Sequence, residues 1–275
     1  MSKSNRAAEI TLTFDASIED VWQALTDARE LTRWFPLQAD VQSAVGGTVA
    51  WRWDGHFAMV SRIDGWQPPR LLRLVQERES PHAASGTPLA DESPARVVIE
   101  FTLDTLHGQT RLRLVHSGFG SGAAWDDELE GVTNGWNYEL RGLAHYLAHH
   151  QGLDRHFGWA WTTTSRTPAD VWEALTSEGG MALPRSSRDA GSPFSLTTPD
   201  GATLSGVSQL HVPEREWFGT AAELDNGIVR LSTWNGGGRT GVTAWFATWS
   251  PDRAVLASSL GQSAQRFLDR QFGQA

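Results

Sequence analysis

The sequence predicts an α+β protein of two tandem domains, each a run of antiparallel strands closed by a long helix. Three observations predict it. The segment Asp20-Val21-Trp22-Gln23-Ala24-Leu25-Thr26 returns as Asp170-Val171-Trp172-Glu173-Ala174-Leu175-Thr176, identical at six of seven positions and offset by 150. Strand-like stretches separated by turn signals follow each copy. Each half then ends in an apolar stripe at helical spacing. A repeat of about half the chain means two domains rather than a solenoid. The expected boundaries are 1–152 and 153–275 of the 275 residues.

Each repeat opens with a strand, Ile10–Phe14 and Gly158–Thr164, and then a capped helix. Ser17 and Thr167 are the caps, each with an aspartate three residues on, and Pro168 takes the first helical position of the second copy. In the first copy the helix covers Ile18–Thr26, and a second, Arg29–Phe35, is stopped by Pro36. Strands are expected at Thr48–Trp53, Phe57–Trp66, Arg70–Glu77, Ala95–Asp104 and Gln109–Ser117. Asp54-Gly55, Pro68-Pro69 and His107-Gly108 mark turns, and Ser80–Pro94 reads as a mobile hairpin loop. Gly118–Gly122 reads as a flexible entry to the closing helix and a gate. Trp125, Leu129, Val132, Trp136, Leu140, Leu143 and Leu147 then form one helical stripe. Asp126, Asp127 and Glu128 suit its N-terminus, His149 and His150 its C-terminus, and Gly152 is the stop.

The second copy is shorter. Strands are expected at Ala202–His211, Arg215–Ala222, Ile228–Trp234 and Gly241–Trp249. Its closing helix starts at Ser250-Pro251 and carries Leu256, Leu260, Ala264, Phe267 and Phe272. The glycine-rich Trp234–Arg239 leads into no helix, so it is a hairpin loop and not a phosphate loop.

Composition narrows the chemistry. A net charge of -9 repels phosphate backbones and anionic membranes, so no nucleic-acid partner is expected. No apolar run approaches the roughly 20 residues of a membrane helix, and Met1–Glu9 lacks the apolar core of a leader. A cytoplasmic protein without membrane insertion is the expectation. Without cysteine there is no disulfide, thiolate metal site or cysteine nucleophile. Lys3 is the only lysine, so the folded body cannot form a Schiff base. His145 and His149 have metal-compatible spacing, but nothing in the sequence completes a site; they read as a solvated face, and neither metal nor cofactor is expected. No serine–histidine–acid order stands out.

Strand alternation assigns an inward face. In the first domain it holds Val49, Trp51 and Trp53, then Met59, Ser61 and Ile63, then Leu72, Leu74 and Gln76. Val97, Ile99, Phe101 and Leu103 continue it, with Leu112, Leu114 and His116. Ser61, Gln76 and His116 are thus polar groups on an apolar face, as in ligand pockets; His116 reads first as a hydrogen-bonded core histidine or a strand-end residue in water, and second as a ligand contact. The chain holds 14 tryptophans, more than two small cores need. Trp51/Trp53 and Trp159/Trp161 are i, i+2 pairs, and Trp245 and Trp249 flank Ala247 on one face. Such pairs form flat aromatic walls if they point inward.

The order strand, two helices, antiparallel strands, long helix resembles the START/Bet v 1-like (SRPBCC) superfamily, in its activator of Hsp90 ATPase branch. The likeness rests on Val21–Thr26, Trp34-Phe35-Pro36, Gly46-Gly47, Pro68-Pro69-Arg70-Leu71-Leu72 and Gly135-Trp136 with Leu143 and Tyr146-Leu147. It covers residues 8–150 and fades over 157–272. Length and arginine bias are similar to the two-domain START-like proteins of actinobacterial enediyne biosynthetic clusters. The resemblance implies helix-grip domains, each sheet curving around the long helix and leaving a cavity for an apolar ligand. Trp34, Trp51, Trp53, Met59, Ser61, Gln76, Phe101, His116 and Trp136 are then candidate ligand contacts in the first domain, and Trp159, Trp161 and Trp245 in the second. The implied function is binding of an elongated polyketide- or polyene-like molecule near the domain junction, as an accessory or self-protection protein, with no protein partner. A cyclase or aromatase using His116, and an Hsp90-type co-chaperone, are the alternatives.

Overall fold

The computed structural model describes residues 6–53, 57–77, 96–120, 122–236 and 238–273. The expected Asp54-Gly55 turn and Ser80–Pro94 loop lie outside the described residues. The chain divides into two compact units, Met1–Leu153 and Asp154–Ala275.

In the first unit β1 (Arg6–Phe14) leads into α1 (Ile18–Thr26) and α2 (Ala28–Trp34). The strands β2 (Gln38–Val41), β3 (Thr48–Trp53), β4 (Phe57–Gln67), β5 (Leu71–Glu77), β6 (Arg96–Leu106) and β7 (Gln109–Phe119) follow, and α3 (Ala123–His149) closes the unit. The sheet is an antiparallel meander in which β1 returns to pair with β7, giving the order β1-β7-β6-β5-β4-β3-β2. Ser17 Oγ accepts from the Asp20 backbone N–H at 3.1 Å and donates to its carboxylate at 2.6 Å, which starts α1 at the expected residue. Asp27 ends α1 and caps α2, accepting from the backbone N–H groups of Arg29 and Glu30. The alternation holds: Val49, Trp51, Ser61, Ile63, Leu72, Leu74, Val97, Ile99, Phe101, Leu103, Leu112, Leu114 and His116 are buried. A register shift between Ile63 and Gly65 adds a residue to β4 opposite β5 and bends the strand.

Two expectations change. The short edge strand β2 has no sequence signal, and β7 continues through Gly118 rather than opening into a hinge. Gly118 has φ +103°, and a Cβ there would lie 2.4 Å from the Arg96 carbonyl oxygen, so backbone angle and packing both demand glycine.

The second unit repeats the plan with one fewer strand. Its elements are β8 (His156–Thr164), α4 (Pro168–Thr176), β9 (Pro193–Thr197), β10 (Thr203–Val212), β11 (Glu216–Ala221), β12 (Gly227–Gly236), β13 (Arg239–Thr248) and α5 (Ala254–Phe272). The order β8-β13-β12-β11-β10-β9 again returns the first strand to the last. Thr167 repeats the cap of Ser17, accepting from the Asp170 N–H and donating to its carboxylate at 2.7 Å. Ser250 makes no side-chain cap; Pro251–Arg253 forms a 3-10 turn ahead of α5. Inside, Trp172, Phe194, Leu204, Trp217, Phe246, Leu260 and Phe267 belong to one continuous apolar cluster.

The seam between α5 and β8 is in backbone contact. A Cβ on Gly158 would lie 2.1 Å from the Ala257 carbonyl oxygen, and one on Gly261 would lie 2.5 Å from the Trp159 nitrogen. The Gln265 amide accepts from the Trp161 backbone N–H at 3.0 Å and donates to the Trp161 carbonyl at 3.3 Å. No helix among the described residues is long and apolar enough to cross a membrane.

Candidate functional site

In the first unit the turn after α2, the strand β3 and the middle of α3 bring their aromatic rings together. Phe35, the C-cap residue of α2, is the hub. Its ring stacks on Trp34 at 5.1 Å between centroids, meets Trp51 and Trp53 edge-on at 5.0 and 5.3 Å, and lies 5.3 Å from Trp136 of α3. Trp136 also meets Trp51 at 6.2 Å and Phe101 at 5.6 Å. His116, Phe119 and Trp125 extend the row toward the N-terminus of α3. These separations and tilts are those of favourable aromatic pairs.

Six of the nine candidates in this unit therefore meet: Trp34, Trp51, Trp53, Phe101, His116 and Trp136. Met59 is half-buried and sits directly across from Trp51 in the β3–β4 register; Ser61, buried, lies opposite Val49 and so diagonal to Trp51. Gln76 is half-buried opposite Val97, on the middle strand of the sheet and two strands from Trp51. Sequence reasoning missed Phe35 as a site residue, although an aromatic wedged between a helix end and Pro36 is a signal for a side chain turned inward.

Most of the polar groups here have partners. The Trp34 indole N–H donates to the Ala24 carbonyl at 2.9 Å. The Trp136 indole N–H donates to His116 Nδ1 at 3.0 Å. That bond requires a lone pair on Nδ1, which assigns the proton of the neutral ring to Nε2. His116 is thus a hydrogen-bonded core histidine that orients Trp136. The Trp51 indole N–H is different: it is buried and has no hydrogen-bond partner among the described residues.

A second polar group ties α2 to the end of α3. The Tyr146 hydroxyl donates to Glu30 at 2.6 Å and accepts from the Gly152 backbone N–H at 2.9 Å, while Arg33 pairs with Glu30 from the other side. Burial, then the bond to Glu30, pushes the Tyr146 hydroxyl up to about 12. This clamp holds Trp34 and Phe35 over the sheet. Nearby, the rings of His145, His149 and His150 lie 4.8 to 6.1 Å apart, and no group of three side chains among the described residues could hold a metal ion.

The second unit places its tryptophans differently from the inward wall considered above. Gly158 and Ala160 of β8 and Ala244 and Phe246 of β13 face the core and α5. Trp159, Trp161 and Trp245 alternate with them, so they lie on the opposite face of the sheet and are half-buried there. Trp159 and Trp245 are cross-strand partners with centroids 5.6 Å apart; Trp245 stacks on Phe157 at 5.1 Å, and Arg155 sits over both rings of that stack. The physical reason on β8 is the seam: Gly158 and Ala160 lie beneath α5, so Trp159 and Trp161, which alternate with them, take the other side. Also in this unit, Glu216 is buried and pairs with Arg230 through two bonds of 2.7 and 3.0 Å; burial raises its carboxyl, opposed by the arginine.

Residues 15–148 match the family of activator of Hsp90 ATPase homolog 1-like proteins. No curated protein matches the chain. Among solved structures, the Aha1 dimer from Colwellia psychrerythraea is 21% identical, covering 54% of this chain and 99% of that one, with a TM-score of 0.43. DynU16, from the dynemicin biosynthetic locus, is 17% identical with 95% of each chain covered and a TM-score of 0.44. The di-domain ARO/CYC BexL, from the BE-7585A biosynthetic pathway, is 18% identical, covering 97% of this chain and 93% of that one, with a TM-score of 0.44. The match over residues 15–148, just under half of the chain, agrees with the order of strand, helices, meander and long helix in the first unit, which is thus similar to the activator of Hsp90 ATPase homolog 1-like proteins.

Proposed function

We propose that the first unit holds an apolar, conjugated small molecule of polyketide or polyene type between its sheet and α3, as an accessory or self-protection protein in cytoplasmic natural-product biosynthesis. The observation that carries this reading is the continuous row of aromatic rings from Trp34 and Phe35 through Trp51 and Trp136 to Phe101, contributed by helices and sheet alike. Flat rings set edge-on and tilted to one another offer faces that a planar conjugated chain can stack on. Each buried carbon of such a chain contributes up to about 0.8 kcal/mol, so a diphenylpolyene of about 18 carbons supplies up to ~14 kcal/mol, which exceeds the roughly 8 kcal/mol of micromolar affinity by enough to offset ordering costs of several kcal/mol. The acidic surface argues against a nucleic-acid partner. A cyclase reading would rest on His116, whose Nδ1 lone pair is committed to Trp136, and so has less support.

The test is titration of the full chain with 1,6-diphenylhexatriene. Tryptophan fluorescence should be quenched with a micromolar midpoint and the melting temperature should rise. Trp53→Ala should weaken binding at least fivefold, about 1 kcal/mol. A saturating polyene that changes neither fluorescence nor melting temperature refutes the proposal.

A further inference from the structure

We infer that Trp51 is the polar anchor of the site: its indole N–H donates a hydrogen bond to a neutral oxygen on the bound molecule, so the site selects conjugated ketones or quinones over plain hydrocarbons. The inference rests on the binding proposal above and adds the chemical class of the ligand.

Three other buried indoles are satisfied from within. Trp34 reaches the Ala24 carbonyl, Trp136 reaches His116, and in the second unit Trp217 donates to Ser208 Oγ at 3.0 Å. Trp51 is as deeply buried as these, at 2% exposure, yet its Nε1 has no partner among the described residues. A buried donor left unpaired is costly, and a folded protein retains one where something outside the chain completes it. The position fits that role. Trp51 sits at the middle of the aromatic row, touching Phe35 and Trp136, with Met59 across the strand pair.

The surroundings restrict what the partner can be. An indole N–H only donates, so the partner must be an acceptor. The residues shown against Trp51 carry no charge: they are Phe35, Trp136 and Met59. A carboxylate or phosphate would therefore be buried without a counter-charge, which is prohibitive. A hydroxyl would bring its own hydrogen into an apolar wall. A carbonyl oxygen on a planar conjugated skeleton brings an acceptor and nothing else to satisfy.

The experiment compares two planar, cross-conjugated probes of nearly one shape, 1,5-diphenylpenta-1,4-dien-3-one and the hydrocarbon 3-methylidene-1,5-diphenylpenta-1,4-diene, in which C=CH2 replaces C=O. Both are titrated by calorimetry into the wild-type chain and Trp51→Phe, which keeps an aromatic ring and removes the N–H. The ketone should bind the wild type about tenfold more tightly than the hydrocarbon, and the two should bind Trp51→Phe equally. In the wild type labelled with 15N-tryptophan, one indole N–H resonance should move downfield with the ketone and not with the hydrocarbon. That measurement does not depend on the variant folding. Equal binding of both probes to the wild type, with no indole shift, overturns the anchor and leaves the binding proposal standing. Failure of both probes to bind overturns both.

Discussion

One added methyl group should have opposite effects in the two closing helices. Gly131 lies in the exposed interior of α3, and a Cβ there meets nothing within 4 Å. Gly131→Ala should therefore show the full intrinsic gain, about 1 kcal/mol. Gly261 of α5 would gain the same amount from helix propensity. Its new Cβ, however, would lie 2.5 Å from the Trp159 nitrogen and 2.6 and 2.7 Å from the carbonyl carbon and Cα of Gly158. All three are backbone atoms held in the β8–β13 ladder, so no side chain can swing away. The helix must lift by about 1 Å along its contact with the strand, loosening its neighbours as it does so. Overpacking of this kind costs up to ~3 kcal/mol, which leaves a net loss of about 2 kcal/mol. For units of this size the shifts are roughly 4 °C upward for Gly131→Ala and 8 °C downward for Gly261→Ala. Differential scanning calorimetry of the full chain measures both. If Gly261→Ala melts at or above the wild-type temperature, α5 is not seated on β8 as described, and the account of why the large rings of β8 face away from it fails as well.

Two further outcomes follow from the polar groups of the first unit. The Tyr146 hydroxyl is held protonated above its ordinary value of 10, up to about 12, so its contribution to stability is complete below pH 10 and is lost as pH rises from 10 to 12. Urea unfolding at pH 9 and 11.5 should show a decline in the wild type that is smaller in Tyr146→Phe, and the variant should be less stable at pH 9 by about 1–3 kcal/mol; identical pH profiles would show that the clamp does not form. Trp136→Phe strands the His116 Nδ1 acceptor and should cost about 1–3 kcal/mol, of which Trp136→Phe combined with His116→Phe recovers part; strictly additive losses in that double-mutant cycle would mean the indole–imidazole bond contributes nothing.

The parts of the fold legible in the sequence are those encoded locally. Ser17 and Thr167 mark the helix starts because capping is a matter of four consecutive residues, and strands such as β6 show their inward face because their alternation is regular. The edge strands Gln38–Val41 and Pro193–Thr197 escaped because they are short and gain their pairing from a neighbour rather than from their own pattern. For Trp159 and Trp161, alternation says only that they share a face; which face is inward depends on what packs above. The offset of 150 held the answer, since it aligns them with Glu9 and Thr11 of β1, both exposed, and aligns Gly158 and Ala160 with the buried Ala8 and Ile10. At the site, Trp34, Trp51 and Trp136 were legible as large residues on apolar faces. The hub position of Phe35 and the partnerless nitrogen of Trp51 were not, because they depend on the angle at which the chain leaves α2 and on distances between strands far apart in sequence.

The Gln265 amide bonded to both backbone groups of Trp161 has a consequence for how copies of this chain meet one another. β8 is the last strand of its sheet, and its run of Phe157, Trp159 and Trp161 is the kind of aromatic, extended segment that readily accepts a strand from another molecule. A primary amide presents one donor and one acceptor in the same sense as a peptide group, so Gln265 occupies the place an incoming strand would take. The side chain also bonds to Asp269 at 2.8 Å, which fixes the amide's orientation from the helix side. A single side chain thus blocks the edge of β8 at Trp161, where an incoming strand would otherwise find both backbone groups open.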